Sequence, residues 1–258
     1  MLTRFGRFTL ADGSIRFGRI DHDQVHLLDA APWLGGRDAG GHLPLSELKR
    51  LCPVVPSKIL CIGRNYRAHI KEMGGAAPPS HPLLFLKPPS SLLDPDGVVL
   101  LPAESAQVEH ESELGVVIGR RGRRVALDQA MELVFGYTIV GDITARDLQK
   151  SDGQWSRAKG FDTFCPVGPE LVAGVDPSAL EIRGRVNGVV RQQGNTRDML
   201  FAVPQLVSHL SQAMTLEPGD LIATGTPEGV GPLQHGDVFE IELEPLGLLR
   251  VSVRREAS

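Results

Sequence analysis

The amino-acid sequence predicts a β-rich α+β fold, and three observations carry that prediction. Short apolar or β-branched runs bounded by Gly and Pro recur at residues 58–63, 83–87, 98–102 and 136–144. Helical spacing is confined to residues 64–74, 127–135 and 201–214. Asn187-Gly188 sits between two strand-like runs within residues 180–193, a strong signal for a type I′ hairpin turn. Many short strands with few, short helices argue against a doubly wound sheet.

Taken in chain order, residues 3–29 read as short strands turning at Ala11-Asp12-Gly13 and Asp21-His22-Asp23. Residues 34–43 (LGGRDAGGHL) read as a Gly-rich loop, and residues 44–57 as a connection. We place a boundary near residue 56, with residues 1–56 a small N-terminal β-domain or arm and residues 57–258 the main domain. KILCIG (58–63) is a buried strand, RNYRAHIKEMG (64–74) a short helix stopped by Gly74-Gly75, and AAPPSHP (76–82) an irregular segment. LLFLK (83–87) and VVLLP (98–102) are strands, and HESELGVVIG (110–119) is a strand entering a core. LDQAMELVF (127–135) is helical and GYTIVGDIT (136–144) a strand. After the 180–193 hairpin comes a helix over 201–214 with Pro204 near its start. A turn at 217–220 leads to a strand running into a Gly-rich loop (220–231) and a terminal hairpin (237–256).

Composition excludes several classes of function. The 258 residues carry a formal net charge of −4 and no basic block, which argues against nucleic acid or an anionic membrane as partner. No run of 18 or more apolar residues predicts a membrane span, and the N-terminus has no apolar leader region. Cys52, Cys61 and Cys165 are odd in number and widely spaced, so a disulfide framework or a cysteine zinc site is not expected. Reduced thiols suit a cytoplasmic protein. Cys165 lies near the motifs below, which leaves a reactive thiol open beside the default of a small core residue.

The sharpest chemical feature is His110-Glu111-Ser112-Glu113-Leu114. Alternation along a strand points Glu111 and Glu113 the same way, next to the apolar run GVVIG. Two such carboxylates need a positive charge between them if they are buried; spacing alone leaves a solvent-facing pair open. Asp142 closes the apolar run YTIVG and is placed either to present a ligand at a cleft or to cap the helical turn that follows. Together the three would supply hard oxygen ligands without histidine or cysteine. That donor set suits Mg²⁺ or Mn²⁺, with Ca²⁺ less favoured.

These segments, with IGRNYRAHIKEM, FLKPPSSL, AKGFDTFCPVGP, NGVVRQQGNTRDMLF and PGDLIATGTPEGVG in the same order, make residues 57–255 resemble the fumarylacetoacetate hydrolase family. That family carries E-x-E-L followed by D-[VI]-[ST]-A-R-D, which here are Glu111 to Leu114 and Asp142 to Asp147. Residues 1–56 resemble the variable extension of bacterial members. The resemblance implies a mixed β-sandwich roll, usually a homodimer, with Mg²⁺ or Mn²⁺ on Glu111, Glu113 and Asp142.

It also implies a lid dyad, His69 and Glu72, three apart on one helical face, in which the carboxylate orients the imidazole to activate water. Lys159 would approach the substrate and stabilise developing negative charge. Lys87 is expected at the pocket floor, and Gly225 and Thr226 as donors to a substrate carboxylate. Arg64, Asn65 and Tyr66 would shape the pocket or hold the lid, and Gln149 would touch substrate. The expected activity is cleavage of the C–C bond of an acylpyruvate or fumarylpyruvate-type 2,4-dioxo acid through an enolate stabilised by the cation. The alternatives are an isomerase or decarboxylase of 2-hydroxydienoates in aromatic catabolism, an oxaloacetate decarboxylase or an oxaloacetate tautomerase. A non-catalytic binding protein would need the metal site or the dyad broken, and neither is.

Overall fold

The computed structural model describes residues 1–75 and 77–256, so the first residue of the 76–82 segment and the last two of 57–258 lie outside the described residues. The architecture is the expected mixed β-roll. Its largest sheet runs in the order Asp38–Pro44, Gln24–Leu28, Ile15–Asp21, Thr3–Thr9, Cys165–Ala173, Val134–Gly141, Ser112–Ile118, Leu221–Ala223, Ile59–Gly63, Leu83–Lys87. Neighbours are antiparallel except Leu221–Ala223 beside Ile59–Gly63, which is parallel. The N-terminal strands belong to this sheet through the pairing of Thr3 with Ala173 and Phe5 with Leu171.

A second sheet, Val189–Asn195, Glu181–Val186, Val238–Leu243, Gly247–Arg255, Val98–Leu101, packs against the central strands of the first. Ile182, Phe239, Ile241, Leu249 and Val251 from it meet Leu114, Val116, Ile139 and Val172 in the main core. The strand Gly247–Arg255 alternates buried and exposed residues from Leu249 to Arg254, as a half-buried strand requires. A small third sheet joins Val108–His110 to Thr144–Ala145 and Gly231–Pro232.

The hairpin turn has both central residues at positive φ, Asn187 at 53° and Gly188 at 76°, as a type I′ turn demands. The helix Val203–Ala213 starts with Pro204 in its first turn and buries Val203, Leu206, Val207 and Leu210 on one face. The segment 64–74 forms a shorter helix than its sequence suggests, Arg67–Glu72, followed by Gly74 at φ 73°.

Three expectations are corrected. Residues 38–44 form a strand rather than part of a loop; DAGGHLP is mostly exposed, and it is held by backbone pairing to Gln24–Leu28 rather than by its own apolar pattern. The connection over 44–57 contains a short strand, Lys49–Leu51, paired with Thr3–Thr9. The stretch 127–135 is a 3₁₀ helix, Leu127–Leu133, whose last turn gives way to a strand at Val134.

Candidate active site

The strand expected over 110–119 is interrupted at Glu111. Val108–His110 pairs in the small sheet, and Ser112–Ile118 pairs in the large one. Glu111 therefore sits where the chain passes from one sheet to the other, while Glu113 lies two residues inside the large sheet. Asp142 follows the end of the neighbouring strand Val134–Gly141, and its amide donates to the Glu111 carbonyl at 3.0 Å. Carboxylate oxygens of Glu111, Glu113 and Asp142 all lie within 4.8 Å of one another, and the three residues are 4 %, 2 % and 1 % exposed. The solvent-facing alternative is excluded.

Four buried carboxylates, counting Glu109, face three buried cations, Lys87, Arg146 and Lys159. Lys159 Nζ donates to Glu111 Oε2 at 2.9 Å and to Asp142 Oδ2 at 2.6 Å. Lys87 Nζ donates to Asp142 Oδ1 at 2.7 Å and to the Ile143 carbonyl at 3.2 Å. Arg146 reaches Glu109 Oε2 through Nε (2.7 Å), Glu111 Oε1 through Nη2 (2.6 Å) and Gln149 Oε1 through Nη1 (2.7 Å).

These partners set the charge states. Burial pushes the Glu111 carboxyl up, but Lys159 and Arg146 outweigh it and hold the group far below the usual carboxylate range. Burial also raises Glu113, and the neighbouring Asp142 and Glu111 charges raise it further, while its hydrogen bond is a single backbone donor, Gly225, at 2.7 Å. Lys159 is pushed down by burial yet lifted above its ordinary value by Asp142 and Glu111. Glu113 is thus the acid whose negative charge the protein compensates least, and a cluster of all-oxygen donors with one such member fits a hard divalent cation.

The cluster lines a cavity of about 260 Å³ together with Arg64, His69, Gln149, Lys150 and Thr226, and with an apolar side of Ile62, Met73, Phe85 and Trp155. His69 reaches it from the helix Arg67–Glu72; its Nδ1 lies 3.1 Å from Glu72 Oε2. A carboxylate only accepts, so Nδ1 carries the proton here, and in the neutral imidazole the lone pair is on Nε2. Glu72 Oε1 accepts from the Gly229 amide at 2.9 Å, which ties the helix to the 225–231 loop. At position 229 φ is 94°, and a Cβ would lie 2.0 Å from the Arg191 carbonyl oxygen, so only glycine fits.

Of the residues singled out from sequence, Arg64, His69, Glu111, Glu113, Asp142, Gln149, Lys159 and Thr226 line this cavity. Lys87 lies behind it, against Asp142. The Gly225 amide donates to Glu113, and the Thr226 hydroxyl donates to the Ser112 carbonyl at 3.1 Å. Tyr66 does not line the cavity. It lines a separate hollow with Arg67, Gln193 and Asp198. Asn65 anchors the turn through the Phe201 and Thr224 carbonyls and the Phe201 amide.

Sequence reasoning missed Glu109, Arg146, Lys150 and Gln192. Glu109 was visible in principle, since it continues the i, i+2, i+4 spacing of Glu111 and Glu113.

Residues 58–254 match the Fumarylacetoacetate (FAA) hydrolase C-terminal family, and residues 3–53 the Rv2993c-like N-terminal family. The chain is 51 % identical over 211 residues to an uncharacterised protein of Pyrococcus abyssi, covering 80 % of this chain and 93 % of that one. It is 47 % identical over 219 residues to the oxaloacetate tautomerase YisK of Bacillus subtilis, covering 80 % and 73 %. The structure of 2-hydroxyhepta-2,4-diene-1,7-dioate isomerase from Mycobacterium marinum superposes with a TM-score of 0.91 at 41 % identity over 99 % of this chain and all of that one. No helix among the described residues is long and apolar enough to cross a membrane. With the family's acidic motif gathered at one buried point, on the family's fold and in its order along the chain, this protein is an enzyme of the fumarylacetoacetate hydrolase family.

Proposed function

We propose that this enzyme catalyses a proton transfer that interconverts keto and enol forms, or shifts a double bond, in a small 2-oxo dicarboxylate of the oxaloacetate or 2-hydroxydienedioate type. The observation that carries this reading is the His69–Glu72 pair facing the Glu111, Glu113 and Asp142 cluster across one cavity. The names of the Bacillus and Mycobacterium relatives support the same chemistry.

Glu111, Glu113 and Asp142 would hold Mg²⁺ or Mn²⁺, which supplies positive charge to a substrate gaining negative charge. His69 Nε2, free in the neutral imidazole because Glu72 holds the proton on Nδ1, takes the proton from the carbon beside the 2-oxo group of a keto form, or from the 2-hydroxyl of an enol or hydroxydienoate. The Lys159 ammonium faces the negative charge that then develops on oxygen. The protonated His69 then returns the proton: to oxygen when a keto form becomes the enol, to the carbon beside the 2-oxo group when the enol becomes the keto form, or to the far end of the dienolate when the double bond shifts. Arg64 and Lys150 border the cavity without an acidic partner among the described residues, and two such cations suit a second carboxylate. Met73, Phe85 and Trp155 give the cavity an apolar side.

A second reading, hydrolysis of an acylpyruvate, uses the same base to activate water, and is favoured by the room that the apolar side leaves for an acyl group. One panel separates them: oxaloacetate, a 2-hydroxydienedioate and an acylpyruvate, each with Mg²⁺ or Mn²⁺, followed by ultraviolet absorbance. Enzyme-dependent loss of the enol band of oxaloacetate or a shift of the dienoate band, abolished in His69→Asn, is expected. Turnover of the acylpyruvate alone overturns the first reading in favour of the second.

A further inference from the structure

The segment NGVVRQQGNTRDMLF has no part in the chemistry above, yet it delivers Gln192 to the underside of the acid cluster. Gln192 is fully buried on the strand Val189–Asn195. Its amide orientation is unambiguous: the Ser112 amide donates to Oε1 at 2.9 Å, and Nε2 donates to the Pro227 carbonyl at 2.9 Å. Nε2 also donates to Thr226 Oγ1 at 2.7 Å, and His110 Nδ1 lies 3.2 Å from Oε1. Both amide hydrogens and both oxygen lone pairs are therefore used. Thr226 Oγ1 accepts from Gln192 and from the Ser112 amide (3.1 Å), which leaves its own hydrogen for the Ser112 carbonyl at 3.1 Å.

Ser112 is the residue between Glu111 and Glu113, and within its strand Ser112–Ile118 only Gly115 to Val117 pair with Leu221–Ala223. Beyond that point the ladder is continued by other groups: Thr224 on the Leu114 carbonyl, the Gly225 amide on the Glu113 carboxylate, and Thr226 with Gln192 on both backbone groups of Ser112. Gly184 lets the opposite sheet close over this point, since a Cβ there would lie 2.4 Å from Ser112 Oγ.

We infer that Gln192 is a positioning residue that, through Thr226 and the Ser112 backbone, sets the separation of Glu111 and Glu113 and so the affinity for the divalent cation. This rests on the reading that those carboxylates hold such a cation.

The test titrates Mn²⁺ calorimetrically into the wild type, Gln192→Met, Thr226→Val, Thr226→Ser and the Gln192→Met/Thr226→Val pair, with metal-free melting temperatures alongside. Groups that hold a ligand in place are commonly worth 10–100-fold in metal affinity, so Gln192→Met and Thr226→Val are each expected to weaken Mn²⁺ binding about tenfold. Thr226→Ser should bind as the wild type does, because it keeps the hydroxyl. The double variant should lose less than the product of the single losses, because both act on Ser112. Wild-type affinity in Gln192→Met with only the melting temperature lowered overturns the inference and leaves the proposed function standing. A wild type that binds no Mn²⁺ overturns both. Should Gln192→Met not fold, the Thr226 variants decide: equal affinity in Val and Ser overturns the inference.

Discussion

Lys87 Nζ lies 2.7 Å from Asp142 Oδ1, with the lysine side chain 0 % and the aspartate 1 % exposed. A charge pair this deep is a weak source of net stability but costly to break from one side, because the survivor stays buried without its partner. Lys87→Met should lower unfolding stability by about 3 kcal/mol, somewhat moderated by Lys159, which also contacts Asp142. Chemical denaturation measures this in chelator, and added Mn²⁺ should recover part of the loss by restoring positive charge. An unchanged midpoint in chelator would show that the pair is not felt.

Removal and return of metal should act on stability through Glu113. Its carboxyl is raised by burial and by Asp142 and Glu111, so its charged form is a burden in the metal-free protein. Glu113→Gln should therefore melt no lower than the wild type in chelator. In saturating Mn²⁺ the order should reverse, since a ligand at 100 times its Kd adds about 2.7 kcal/mol to the wild type alone. Thermal melts of the two proteins with and without Mn²⁺ decide the matter.

Acid should reveal the role of Asp147, which lies in the first turn of the helix Arg146–Asp152 and accepts from Ser105 Oγ (2.6 Å) and the Ala106 amide (2.9 Å). Slight burial pushes its carboxyl up, but the hydrogen bonds from Ser105, Ala106 and Leu148 outweigh this and depress it. A depressed carboxylate contributes stability that is complete above its unfolded pKa and fades as pH falls through the folded value. Asp147→Asn should cost on the order of 1 kcal/mol at neutral pH, allowing for solvent screening, and the gap from the wild type should close below about pH 4. Parallel urea titrations at several pH values measure it.

The three thiols should be inert in the folded protein. Burial pushes Cys52 up to about 12, and it also raises Cys61 and Cys165, all of them enclosed in the core. A thiol reagent should modify none of them in buffer and all three in denaturant. Fast reaction of Cys165 in the native state would reopen the reactive-thiol reading that its sequence position allowed.

The parts of the fold legible in the sequence are those whose residues carry their own instructions. Asn187-Gly188 specifies its turn by tolerating positive φ, and Gly74 ends the lid helix for the same reason. The strand Asp38–Pro44 was illegible because its Gly-rich, solvent-facing residues bury nothing, and its form comes from a neighbour. At the site, the acid triad was legible through its likeness to the family's motif; the spacing alone left a solvent-facing pair open. A family motif records which residues recur, not which hollow each one lines, and Tyr66 lines a different one from Arg64. A sequence does not show that the Gly225 amide and the Thr226 hydroxyl donate to Glu113 and Ser112. Arg146 was passed over as a polar turn residue; only the fold brings Glu109 and Glu111 to its guanidinium.

The pairing of Thr3–Thr9 with Cys165–Ala173 has a practical corollary. A version of the protein cut back to residue 57 would strip the flank of an inner strand, leaving unsatisfied amides and carbonyls next door to the strand that leads into Asp142. Such a trimmed enzyme should stick to itself edge to edge unless some other chain segment is supplied to cover the gap. The leading fifty-odd residues thus serve as a guard rail for the catalytic sheet, whatever else they do.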